Sequence, residues 1–281
     1  MVFYVLHLPG VDPDRVRLLE KACQKLKVAF KALDPLSFDF SKPSPVKKGD
    51  LVYRVSRGKI LQTFESYILQ PGVVTFNQDP LLRFKDPFIL LKDNDLSPKT
   101  IFCVTKDRAK LQKYVKALGG FPIVIKALGG SRGMGVMKVG SFSSLYGIVD
   151  FLLFQNKLLV LRQFIPTKAS ARFIVLGDKV IASLEYLKIN KDFRTNESTS
   201  PRIKAKKYPK KMEELAIKAT HLLDLEFGGV DVLESDGKFY VAEVNFPCNF
   251  VRAHQVLKQD VALEMVKFLK EKSERLNKRL N

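Results

Sequence analysis

Apolar positions in this chain follow two periods. Val2 to Leu8, "KVAFKAL" and "DLVYRVS" are short runs rich in β-branched and aromatic residues, which suit strands. Between the first two, "VDPDRVRLLEKACQKL" spaces Val16, Leu19, Ala22, Cys23 and Leu26 as one helical face, behind a capping Asp12 and with Pro13 at the first helical position. "DFSKPSPVKKGD" reads as a loop and "GVVTFN" as a further strand. This alternation predicts an open α/β unit over residues 1–85.

The pattern then changes. It predicts a short helix from Asp86 to Leu96, a strand in "SPKTIFCV", and a helix from Lys106 to Leu118 ended by Gly119-Gly120. Ile123 to Ile125 and Val136 to Val139 read as paired strands, followed by a helix over Ser143 to Gln155 and the strand "LLVLRQFI". "ARFIVLGDKVIASLEYL" is a hairpin turning at Gly177-Asp178, and Pro209 to Leu223 is a helix. "GGVDVLESDGKFYVAEVNF" is a second hairpin, with Asp236-Gly237 as a two-residue turn, and an amphipathic helix starts near Gln259. The expected division is a central α+β unit over 86–160 and a C-terminal α+β unit over 161–281.

At 281 residues and 46% hydrophobic content the chain can bury a sizeable core, yet no apolar run approaches the ~18 residues of a membrane span. "MVFYVLHLPG" lacks the features of a leader and reads as a first strand, so the expected location is cytoplasmic, without a membrane partner. Cys23, Cys103 and Cys248 have no metal-ligand spacing and are expected to be reduced core residues, and His7, His221 and His254 are expected to be structural. The net charge of +19 calls for anionic partners. Its densest piece, Lys191 to Lys211, carries Lys191, Arg194, Arg202, Lys204, Lys206, Lys207, Lys210 and Lys211 against Asp192 and Glu197. Most of these lysines read as a solvated loop; a functional reading puts Arg202, Lys204, Lys206 and Lys207 where an acidic substrate arrives.

"FPIVIKALGGSRGMGVMKV" adds chemistry. Lys126 closes a buried strand, and Gly129, Gly130, Gly133 and Gly135 let backbone N–H groups converge on phosphate oxygens. No Gly-Lys-Ser/Thr closes the loop and no helix follows it, which excludes a Walker A loop and a dinucleotide fingerprint. A flap over a nucleotide remains, beside the alternative of an ordinary glycine hairpin. In the second hairpin, Asp231 on one strand and Glu243 and Asn245 on its partner share a face, an oxygen set suited to Mg²⁺. "LRQFI" supplies a linker with Phe164, and "DFRTN" supplies Arg194 and Asn196.

In this order the motifs "PIVIKALGGSRGMGV", "LRQFI", "DFRTN" and "GVDVL…YVAEVNF" resemble the ATP-grasp superfamily and, within it, the RimK-type carboxylate-amine ligases, from about Asp86 to the C-terminus; "TFN" at Thr75 to Asn77 is similar to the family's preceding domain. The resemblance implies an ATP-grasp fold, two α+β subdomains gripping ATP behind an N-terminal α/β domain. It implies Lys126 on the α/β-phosphates, the flap with Gly129, Gly130, Ser131 and Gly133 over them, and Gln163 and Phe164 against adenine. Arg194 would meet the γ-phosphate with Asn196 beside it, and Arg172 would line the ligand cleft. Asp231, Glu243 and Asn245 would hold Mg²⁺, or Mn²⁺ in its place. The implied reaction joins an amino acid to an acidic small-molecule, peptide or protein acceptor through an acyl phosphate.

Departures from the family pattern fall on both the nucleotide side and the substrate side. Ser170 stands where the family has a ribose-binding Asp, and Tyr186 where it has an Arg; "ESTSPRIKAKK" replaces a glycine pair, Pro247-Cys248-Asn249 replaces "SPG", and Asp86-Pro87 replaces Asp-Lys. Two readings therefore stand, a ligase and a non-ligating nucleotide-binding protein on the same fold. A nucleic-acid-binding role rests on charge alone and lacks a reading motif. The oligomeric state, a homo-oligomer included, is left open.

Overall fold

The computed structural model describes residues 1–78, 95–129, 133–187, 193 and 202–278. Its strands form three sheets. In the first, β1 (Val2–Leu6) lies between β2 (Ala29–Leu33) and β3 (Leu51–Arg54), all parallel. Helix α1 (Pro13–Lys25) buries Leu19, Ala22 and Cys23 as expected. Asp12 does not cap it through its side chain: its φ is +51°, and its carboxylate turns back to pair with Arg15. "GVVTFN" is not a strand. Only Val74, bridged to Leu51, and Asn77, bridged to Leu225, make isolated ladder contacts there. An element not expected from the sequence, α2 (Lys59–Ile68), buries Leu61, Phe64 and Ile68 at helical spacing.

The second sheet is antiparallel, in the order β4-β7-β5-β6: β4 (Thr100–Cys103), β5 (Ile123–Ala127), β6 (Val136–Val139) and β7 (Leu159–Gln163). Helices α3 (Arg108–Ala117) and α4 (Phe142–Phe154) cover it, burying Leu111, Val115, Leu145 and Val149 against Ile123, Ile125 and Leu161. Side chains of Asp107 and Ser141 cap these helices by accepting from the N–H groups of Lys110 and Ser144. The expected helix from Asp86 lies, over 86–94, outside the described residues.

The third sheet is also antiparallel, in the order β10-β9-β8-β11-β12, built from β8 (Ala169–Leu176), β9 (Lys179–Leu187), β10 (Arg202–Ala205), β11 (Phe227–Ser235) and β12 (Lys238–Asn245). Asp236 and Gly237 take the positive φ values, +52° and +70°, that the tight turn requires. Helix α5 (Lys210–His221) packs on one face of this sheet and leaves the other to the site. Two further elements were not expected: the short α6 (Val251–Leu257), and β10, which turns part of the expected basic loop into an edge strand. The last helix, α7 (Val261–Lys278), packs on α1, so the chain's end returns to the N-terminal sheet. Phe3, Val5 and Tyr53 share one buried core with Phe227, Val230 and Phe246. The first and third sheets are thereby held together.

Candidate nucleotide and metal site

The second and third sheets meet at Ala242. The β11–β12 ladder pairs Asp231 with Glu243 but Val232 with Val241, so Ala242 is the extra residue of a β-bulge. Its carbonyl accepts from Lys126 Nζ at 3.4 Å and from an Arg162 guanidinium nitrogen at 2.8 Å. Arg162, buried on β7, also donates from Nε to Thr100 Oγ1 at 2.8 Å. Lys126, expected to bind phosphates, thus stands at the junction of the two sheets. Burial, and then the charge of Arg162, push its pKa down to about 7 against the opposing pull of Glu243 and Asp231.

Asp231, Glu243 and Asn245 come together on one face, as the strand period predicted. Arg172 is Asp231's cross-strand neighbour and donates to both carboxylate oxygens, one bond measuring 2.6 Å. Burial opposes the charge on Arg172, yet Asp231 raises its pKa; burial also pushes the Asp231 carboxyl up, and Arg172 pulls it back. The two donated bonds hold the Asp231 carboxyl, whose pKa burial leaves raised, against the nearly enclosed Arg172 fork. Arg172, expected to line the cleft, therefore spends its fork on Asp231, while the Tyr186 ring lies 5.5 Å from its guanidinium carbon. Asn245 Nδ2 donates to Gly229 O at 3.2 Å and to Asp231 Oδ2 at 3.5 Å, which turns its Oδ1 outward.

A residue no sequence motif marked completes the cluster. Arg57, in the loop after β3, donates to Glu243 Oε1 at 3.3 Å and to Asn245 Oδ1. Beneath the site, a Cβ on Gly229 would come within 2.7 Å of the Cys248 Cβ, so the strand admits only glycine where the Pro247-Cys248 turn crosses it. Cys248 is buried and its thiol is pushed up to about 12, in keeping with an inert core residue. All three cysteines are free and buried.

The donor set fits a hard divalent cation. Among the described residues no three His, Cys, Asp or Glu side chains converge, and the face offers two carboxylates and one amide oxygen. Mg²⁺ typically takes one or two carboxylates and completes its shell with water and phosphate oxygens. A guanidinium already lies against Glu243 and Asn245, so those oxygens accept positive charge.

The flap begins as expected. Gly129, Gly133 and Gly135 have φ of +86°, +77° and +80°, and Ala127 N–H closes the hairpin on Gly135 O at 2.9 Å. Gly130 and Ser131 lie outside the described residues, as do Arg194 and Asn196. At the linker, the Gln163 N–H is committed to Lys99 O at 2.9 Å, while the half-buried Phe164 ring sits 4.5 Å from Lys138 Nζ and edge-on to Phe193. Ser170 is buried opposite Tyr186 on the site face. Lys204 and Lys206 are turned the other way. Register pairs Ile203 with Tyr186 and Lys204 with Glu185, and Lys204 and Lys206 both form ion pairs with buried Glu185 on the face away from Asp231. These lysines therefore do not line the approach to Asp231 and Glu243, because the pleat sends them to the opposite side.

Comparison with known proteins gives the same architecture. The fold matches the D-cycloserine synthetase DcsG (TM-score 0.74, 16% identity, 97% of this chain and 100% of that one) and the ATP-grasp ligase PsnB solved with a precursor variant, Mg and ADP (TM-score 0.72, 17% identity, 96% and 98%). It also matches the D-alanine–D-alanine ligase of Bacillus anthracis (TM-score 0.68, 13% identity, 100% and 99%). This is the ATP-grasp fold. The model of the RimK-like ATP-grasp domain matches residues 83–269, and the chain belongs to that family. Relatives named "Probable alpha-L-glutamate ligase" include those of Rhodopirellula baltica, 26% identical over 61% of this chain and 42% of that protein, and Psychromonas ingrahamii, 31% identical over 53% and 49%. The chain matches about half the length of these curated relatives. Among the described residues, no helix is long and apolar enough to cross a membrane.

Proposed function

We propose that the chain is an ATP- and Mg²⁺-dependent carboxylate-amine ligase that forms an amide or peptide bond through an acyl phosphate. One observation carries the reading: a desolvated lysine and an oxygen cluster from a different sheet meet within the family's fold, at the Lys126–Ala242 joint beside Glu243 and Asp231. A substrate carboxylate oxygen attacks the γ-phosphorus and ADP leaves; an amine nitrogen then attacks the acyl carbon and phosphate departs. Mg²⁺, or Mn²⁺ in its place, would be held by Asp231, Glu243 and Asn245 and would neutralise charge on the phosphates. Lys126 supplies a fixed cation against the α/β-phosphates. The flap around Gly129, Gly130, Ser131 and Gly133 covers the nucleotide, and Gln163, Phe164 and Ser170 border its base and ribose. Arg194 and Asn196 are assigned to the γ-phosphate. Arg172 acts one step back by fixing the Asp231 carboxylate. The acceptor is assigned as an acidic small molecule, peptide or protein, in keeping with the net charge of +19.

The test is ADP release from ATP and Mg²⁺ in the presence of pooled amino acids and acidic peptides, with release expected only when both carboxylate and amine are present. Release independent of either substrate rejects the ligase. A second reading, nucleotide binding without ligation, draws on Arg172 being committed to Asp231 and on Tyr186 standing beside it. Tight nucleotide binding by calorimetry with no ADP in any pool favours that reading.

A further inference from the structure

Arg57 belongs to the N-terminal unit, yet its side chain ends on Glu243 and Asn245, 186 and 188 residues further along the chain. The root of its loop is fixed. Arg54 donates to Ser56 O at 2.9 Å, forms a 2.7 Å ion pair with Glu65 that is almost wholly enclosed, and lies 5.2 Å from the Phe246 ring centre. Gly58 starts α2 directly afterwards. The Arg57 side chain itself is 39% exposed. It occupies the mouth of the site at the carboxyl end of a parallel strand, the end at which open α/β sheets present ligand-binding loops.

Its two partners are the outward oxygens of the metal cluster. Asp231 is already bound by Arg172 on both oxygens, and Asn245 Nδ2 is turned inward to Gly229 O. Glu243 Oε1 and Asn245 Oδ1 are two of the oxygens assigned to the cation, and Arg57 holds both. A divalent ion on this pair repels the guanidinium, which then needs another anion, and phosphate suits its planar fork.

We propose that Arg57 is a positioning residue that competes with the divalent ion for Glu243 and Asn245 and is drawn off by the phosphates of an incoming nucleotide. Metal entry thereby depends on nucleotide. The inference rests on the reading of Glu243 and Asn245 as metal ligands. Without Arg57 the two oxygens stand open, and the metal binds more tightly in the absence of nucleotide. A residue serving only to hold the fold has the opposite effect or none.

The test is a Mn²⁺ titration of the intact protein without nucleotide, followed by electron paramagnetic resonance, on wild type, Arg57→Gln, Arg57→Lys and Glu243→Gln. Arg57→Gln is expected to bind Mn²⁺ at least about threefold more tightly than wild type, the scale of a partly exposed ion pair. Arg57→Lys, which keeps the charge without the fork, falls between them. Glu243→Gln binds more weakly than wild type. Arg57→Gln equal to or weaker than wild type, with Glu243→Gln weakened, overturns the role of Arg57 alone. Glu243→Gln equal to wild type overturns the metal reading and the inference with it. Melting curves accompany the titration, and the lysine variant decides the question if Arg57→Gln fails to fold.

Discussion

Lys126 and Ala242 lie 116 residues apart in sequence, and the lysine ammonium donates to the alanine carbonyl across the junction of two sheets. The contact fixes where a nucleotide's phosphates meet the carboxylates of β11 and β12. Lys126→Ala is expected to weaken ATP binding by about 10- to 100-fold, the range of a charge-assisted hydrogen bond in a desolvated site. Calorimetry with a non-hydrolysable analogue measures it. Unchanged affinity would remove Lys126 from the site.

The depressed pKa of Lys126, about 7 against an ordinary 10.5, makes nucleotide binding pH-dependent. Above pH 7 the amine is mostly neutral in the free protein, and phosphates restore its proton. ATP binding near pH 8 should therefore take up protons, and affinity should fall as pH rises above 7. Stability of the nucleotide-free protein runs the other way. Between about 7 and 10.5 the unfolded lysine holds more proton than the folded one, so the cost of burying this group, full below about 7, is relieved as pH rises toward 10.5. Calorimetry in buffers of different ionisation enthalpy reads the uptake, and none should occur in Lys126→Met.

Arg172 and Asp231 are both largely enclosed, at 11% and 7% side-chain exposure, so removing one strands the other. Arg172→Met is expected to cost about 3–5 kcal/mol. Arg172→Met combined with Asp231→Leu should recover much of that loss in denaturant unfolding while abolishing metal-dependent nucleotide binding. Equal stability of wild type and the single variant would contradict a buried ion pair.

Lys204 and Lys206 pair with Glu185 on the sheet face opposite the site. Replacing both with serine is expected to lower stability by about 1–3 kcal/mol, through an unpartnered buried carboxylate, and to leave nucleotide affinity unchanged. Calorimetry and denaturant unfolding of the double variant separate the two effects; weakened nucleotide binding with intact stability would assign these lysines to the site after all.

Local chemistry made much of this fold legible. Asp236-Gly237 announces the β11–β12 hairpin because both residues readily take positive φ, and period two alone puts Glu243 and Asn245 on one face. Other elements hide for physical reasons. "KILQTFESYI" has a helical stripe but no Ser, Thr, Asp or Asn cap, and α6 spans only seven residues. β10 is an edge strand whose Arg202 and Lys204 make it look like loop, a common property of edges that must not pair with other chains. Arg57, Arg162 and the bulge at Ala242 had no local signal, since each acquires its role from partners on another sheet. The direction of Lys204 depends on register with β9, which composition does not encode.

Trapping the acyl phosphate tests the ligase assignment most directly. Hydroxylamine replaces the amine substrate in reactions with ATP, Mg²⁺ and pooled carboxylates, amino acids and acidic peptides included, and hydroxamate is measured beside ADP. A ligase acting through Lys126, Asp231, Glu243 and Asn245 yields hydroxamate and ADP in equal amounts, and Glu243→Gln yields neither. Nucleotide binding without hydroxamate from any pool, or ADP formed without it, would contradict the assignment.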